Sequence, residues 1–96
     1  VREVLSLVYY YLKANDEKYV IYEYYPEDNK NRSPGIITIN KVLETIDLTT
    51  PAEMDFERYE KEFDERWYWY ADHAIRCIIK DYNGGIIKEI GMSAWY

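Results

Sequence analysis

His73 and Cys77 stand four residues apart, a spacing that places both side chains on one face of a helix. It suits two ligands of a metal site, or a thiol activated by an imidazole. A tetrahedral centre needs two more ligands, and Cys77 is the single cysteine. Those ligands would have to be distant carboxylates, which thiolate sites seldom use. A Cys-His nucleophile would also need an orienting third group and an oxyanion pocket, which one helix face does not supply. We therefore expect the pair to be structural and assign no metal, no cofactor and no catalytic residue. Glu57, Glu60, Glu62, Asp64 and Glu65 offer carboxylates for a glycosidase-like acid/base pair. Interleaved with Arg58, Lys61 and Arg66, they read instead as a solvated helix face laced by charges three or four apart. Gly84-Gly85 lacks the spacing and lysine of a phosphate loop and reads as a helix terminator. Asp28, Asn29 and Asn31 lack the closing glutamate of a calcium loop.

The aromatic residues carry more information. Three Trp, twelve Tyr and two Phe make up 18% of the 96 residues, and most fall in three blocks: Tyr9 to Tyr11, Tyr22 to Tyr25 broken by Glu23, and Trp67 to Tyr70. Consecutive side chains alternate across a strand or spread by about 100° in a helix, so no block can bury all its rings on one face. On a helical wheel Trp67 and Tyr70 face inward, Tyr68 lies on the flank, and Trp69 points to the polar side. Tyr22 and Tyr24 are opposite in phase to Tyr19, Ile21 and Tyr25, so one of these sets is left without a cover. Tyr22, Tyr24, Trp69 and Tyr68 are accordingly the expected partner-binding residues, because exposed Tyr and Trp are favoured anchors at interfaces.

The elements that must position these rings follow from pattern and turn chemistry. Residues 3–12 and 19–25 are rich in β-branched and aromatic types and flank Asn15-Asp16-Glu17-Lys18, which predicts an antiparallel hairpin ended by Pro26. Glu27 to Pro34 is a polar exposed loop. Residues 35–40 and 45–49 form a second hairpin turning near Lys41 to Glu44, where Val42 and Leu43 imply a longer turn or side chains that cover something. Thr50-Pro51-Ala52-Glu53 reads as a helix start. Phe56, Tyr59, Phe63, Trp67, Tyr70, Ala74 and Ile78 recur at three and four to form one stripe. An unbroken helix from 51 to 82 would span roughly 48 Å, far more than a strand of eight residues at roughly 27 Å. We therefore expect a loose section around Phe56 to Glu65 and a main helix over 66–82. Ile86 to Tyr96 closes the chain as a strand bent at Gly91. The expected fold is a single α+β domain over 1–96: a mainly antiparallel sheet of about five strands, β-β-β-β-α-β, with one main helix on one face.

A net charge of −6 opposes binding to nucleic acid or to an anionic membrane. The opening VREVLSLVYYYLK shows neither a signal peptide nor a membrane span. One cysteine without a disulfide partner fits a reducing cytoplasm. The stretches Tyr22-Glu-Tyr-Tyr-Pro-Glu27, Pro34-Gly-Ile-Ile-Thr-Ile-Asn40 and Gly91-Met-Ser-Ala-Trp-Tyr96 together resemble small hypothetical proteins of Gram-positive anaerobic bacteria. That resemblance implies no activity, and those relatives have a tight Gly-containing turn where this chain has Lys41 to Glu44. The functional expectation is a cytoplasmic, non-enzymatic module that binds a protein partner or forms a homodimer through an open Tyr/Trp face. One concrete form is an immunity-type inhibitor covering a basic nuclease toxin, where charge complementarity would speed encounter. The alternative is an aromatic-lined domain that binds, or hydrolyses, a glycan or other small molecule.

Overall fold

The computed structural model describes residues 5–96; the first expected strand begins at residue 3, so its two leading residues lie outside the described range. Strands β1 (Ser6–Asn15), β2 (Tyr19–Pro26), β3 (Gly35–Asn40) and β4 (Thr45–Thr50) run as an antiparallel meander. A small hairpin, β5 (Glu57–Glu60) and β6 (Glu65–Tyr68), precedes helix α1 (Trp69–Asn83) and strand β7 (Ile90–Trp95). The main sheet has the order β4-β3-β2-β1-β7, so the helix carries the chain across the sheet to place β7 against β1. The fold is α+β with one helix on one face of a five-stranded antiparallel sheet, as the pattern predicts.

Alternation decides which residues meet the helix. Val8, Tyr10, Val20, Tyr22, Tyr24, Ile37 and Ile39 are buried on the sheet, and Ala71, Ala74 and Ile78 are buried on α1. The strands contribute large rings to this core, and the helix contributes two alanines and one isoleucine. One row across the sheet shows how the rings fit: Gly91 pairs with Tyr10, Tyr10 with Tyr24, and Tyr24 with Gly35. A Cβ on Gly35 would collide with the Tyr24 ring and one on Gly91 with the Tyr10 ring. Each tyrosine therefore lies over the bare backbone of a flanking glycine.

The helix ends as the sequence predicts. Gly85 adopts φ 79°, and the N–H groups of Gly85 and Ile86 donate to the Tyr82 and Asp81 carbonyls, closing the last turn. Its beginning is a correction, because residues 50–53 start no helix. Ala52 is buried with its N–H donated to the Tyr24 hydroxyl at 2.9 Å, and Glu53 accepts from the Ser33 N–H at 3.1 Å and pairs with Arg32 at 2.8 Å. The cap comes from a distance instead. Asp55 accepts from the N–H groups of Tyr70 (2.9 Å) and Ala71 (3.0 Å), while the Trp69 N–H donates to the Phe56 carbonyl at 3.0 Å. Three orphan donors of the first turn are thus satisfied across 13 to 16 residues of sequence.

The section expected to be loose helix is the β5–β6 hairpin. Glu57 pairs across with Tyr68, Arg58 with Trp67, Tyr59 with Arg66 and Glu60 with Glu65. Trp67 is therefore a strand residue outside the core, whereas Tyr70 packs against the core as expected. The charges do not form helical pairs: Arg66 reaches Glu57 across the hairpin at 3.4 Å, and its guanidinium lies 4.5 Å over the Tyr59 ring. The Lys41–Glu44 turn stands where it was expected, with Asn40 Oδ1 accepting from the Val42 and Leu43 N–H groups at 3.0 Å each. Both apolar side chains of that turn are exposed and cover nothing.

Candidate functional site

The face of the main sheet opposite α1 has no covering element among the described residues. Register places Leu7, Tyr9 and Tyr11 of β1 beside Tyr25, Glu23 and Ile21 of β2, Ile36 and Thr38 of β3, and Ile90, Met92 and Ala94 of β7. Its middle is aromatic and aliphatic. Tyr9 and Tyr11 stack at 6.3 Å between centroids, and Tyr11 meets Tyr25 edge to face at 5.7 Å. Ile90 is 60% and Met92 48% exposed, on a strand where inward-facing Gly91 is buried. The few charges are matched: Lys13 pairs with Glu23 at 3.1 Å, and Lys30 sits 4.4 Å over the Tyr11 ring whose hydroxyl donates to Asp28 at 2.7 Å. Burial, and then the Asp28 carboxylate, hold the Tyr11 hydroxyl above the ordinary phenol range, so it remains a donor.

The residues expected to bind a partner lie elsewhere. Tyr22 and Tyr24 are 2% and 0% exposed and belong to the core, which corrects their assignment as the open set. Helix α1 covers their phase, and their hydroxyls are engaged inside the fold: Tyr22 donates to the Lys88 carbonyl and Tyr24 to Asp55, each at 2.7 Å. Burial raises both phenols. Trp69, expected on the open polar side, is half-buried. It packs against Phe56, His73 and Trp95 with centroids 6.3, 5.2 and 6.0 Å away, and the Arg58 guanidinium lies 4.7 Å over its ring. Tyr68 immediately precedes α1 and packs on the core. The structure thus brings Trp69, Tyr68 and the buried tyrosines to the helix side of the sheet, away from the open face.

The open set is the one with Ile21 and Tyr25, opposite in phase to Tyr22 and Tyr24, joined by Tyr9, Tyr11, Ile36 and Met92, and the sequence carried a signal for it. Glu23 shares the parity of Ile21 and Tyr25, and Lys13 that of Tyr9 and Tyr11. A charge within an alternating strand marks the water-facing set.

His73 and Cys77 lie one turn apart on α1, and both are taken up by packing. His73 stacks flat on Trp95 at 3.6 Å and 9°, and burial holds its imidazole below the usual value, so it stacks as a neutral ring at neutral pH. Cys77 is half-buried against the core. Among the described residues no group of three or more His, Cys, Asp or Glu is placed to hold a metal ion. Asp28 is taken up by Tyr11, and Asn29 Oδ1 by the Asn31 N–H at 3.0 Å. A groove of about 570 Å³ between the end of α1 and β3–β4 is lined by Ile39, Glu44, Thr45, Ile46, Ile79, Tyr82 and Asn83. It holds one carboxylate, not the two that glycoside hydrolysis requires. No helix among the described residues is long and apolar enough to cross a membrane. No protein-family model matches the chain, and no curated protein or solved structure is significantly similar to it.

Proposed function

We propose that the chain is a non-enzymatic protein-binding module whose docking surface is the helix-free face of its sheet. The observation that carries this reading is the run of partly exposed Leu7, Tyr9, Tyr11, Ile21, Tyr25, Ile36 and Met92 across four adjacent strands. Contiguous apolar surface of this kind is uncommon on a free monomer and is favoured where two proteins meet. The partner's chemistry follows from the charges. Because Lys13 and Glu23 neutralise each other, the face fits a flat apolar surface of low net charge rather than a strongly basic toxin. The chain's acidic surplus includes Glu57, Glu60, Glu62 and Glu65 on the β5–β6 hairpin, away from this face. Glycan binding is less well supported, since sugar stacking needs free ring faces. Tyr11 is capped by Lys30 and meets Tyr25 at 76°.

A photoreactive phenylalanine analogue placed at Tyr9 or Tyr25 in the native cell tests this. Crosslinking to a protein is expected from both positions and not from exposed Val42 at the β3–β4 turn, and Ile36→Lys should abolish it. Equal yields from the face and from Val42, or none from the face, would sink the reading.

A further inference from the structure

The main sheet has two edges, and they differ. Strand β4 carries Asp47 and a register shift opposite Ile36–Ile37, features that discourage another strand from pairing. Strand β7, Ile90-Gly-Met-Ser-Ala-Trp95, has no charge, no proline and no bulge. The Leu12 N–H donates to the Glu89 carbonyl at 2.8 Å. Antiparallel alternation then makes Gly91, Ser93 and Trp95 exchange bonds with β1, while the N–H and C=O groups of Ile90, Met92 and Ala94 point away from the sheet. Among the described residues none of these outward groups has a backbone or side-chain partner outside its strand. An uncharged edge with a free row of donors and acceptors is a template for one more strand.

We infer that this strand is β7 of a second copy, paired antiparallel about a two-fold axis at Met92. In that register Met92 faces Met92 of the second copy, Ile90 faces its Ala94, and Gly91 faces its Ser93. Ile90 meets the small Ala94, the flexible Met92 meets its own copy, and no charge faces a like charge, which matters in a chain carrying −6. A closed two-fold pairing also uses up the β7 edge of both copies and leaves only the β4 edges outside, so no open filament grows through β7. An axis perpendicular to the sheet keeps both helices on one side and joins the two open faces into one surface across ten strands. The inference deepens the docking reading by naming a second copy as a component of that surface, and rests on it only for the role of the joined face.

The test is hydrogen exchange on the full chain at low and high protein concentration, together with sedimentation. A dimer is expected, with the Ile90, Met92 and Ala94 amides slowed about tenfold or more as concentration rises, while Gly91 and Ser93 are protected throughout. Ala94→Pro removes an outward N–H that β1 does not use, and should yield a folded monomer. Ile90→Lys should do the same if the proline variant fails to fold. Tyr9→Lys, on the open face, should leave the dimer intact. A monomer at every concentration, or a dimer whose Ile90, Met92 and Ala94 amides exchange freely, would overturn edge pairing. A dimer lost only with Tyr9→Lys would overturn it too, while showing that copies meet through the open face.

Discussion

At the scale of single residues, Asp55 ties the layers together. Its carboxylate accepts from the Tyr24 hydroxyl, its own neighbour Phe56 N–H, and the Tyr70 and Ala71 N–H groups. It therefore joins β2, the β4–β5 connection and the start of α1. Asp55→Ala would leave the Tyr24 O–H and two first-turn N–H donors without an acceptor, and is expected to cost about 3 kcal/mol. Chemical denaturation followed by tryptophan fluorescence reads this directly. Pairing it with Tyr24→Phe should give a combined loss smaller than the sum, since both changes remove the same bond. Nothing local to residue 55 announces the role. The local motif Thr50-Pro51-Ala52-Glu53 matches a helix start, but its N–H and carboxylate groups are taken by Tyr24, Ser33 and Arg32. A cap supplied 15 and 16 residues away is invisible to any reading that looks for it next to the helix.

At the scale of elements, the β5–β6 hairpin explains the largest departure from expectation. Phe56, Tyr59, Phe63 and Trp67 repeat at three and four, yet a helix there would have nothing to cover, because α1 already occupies the sheet. The same residues favour strands, and the hairpin instead anchors at its base through Phe56 and Arg58 on Trp69. Its turn has no glycine; Asp64 takes φ 50° there, as Glu44 takes φ 54° between β3 and β4. Such turns carry no Asn-Gly or Asp-Gly mark, which is why only the one flanked by two clear strands was legible. Glu60 and Glu65 face each other across the hairpin, and directly opposed like charges destabilise a strand pair. Glu65→Lys is expected to strengthen the hairpin by about 0.5 kcal/mol, seen as a roughly twofold slowing of amide exchange over residues 57–60 at low salt.

At the scale of the whole molecule, charge and apolar surface are separated. The open face and the β7 edge are neutral or matched, while among the described residues acidic side chains in surplus lie on other surfaces, the β5–β6 hairpin among them. Association through uncharged surfaces should therefore respond to salt in the unusual direction. Raising ionic strength from about 0.05 to 0.5 M shortens the screening length from roughly 14 to 4 Å and weakens repulsion between two acidic copies. The self-association constant measured by sedimentation is expected to tighten about two- to fivefold. Loosening over that range would mean that matched charges hold the copies together.

The class of fold was readable from the sequence because it rests on local physics: alternation of side chains, turn chemistry and helix termination at Asn83-Gly84-Gly85. The existence of one covered and one open tyrosine set was readable for the same reason. Which set is which depended on where α1 lies, and that is settled by packing: Ala71, Ala74 and Ile78 of α1 share one buried core with Tyr10, Tyr22 and Tyr24, and Gly35 and Gly91 make room for two of the rings. The open face moved from Tyr22 and Tyr24 to Tyr9, Tyr11 and Tyr25, a shift of one residue in phase, because strand faces alternate and burial on one side leaves its neighbour on the other.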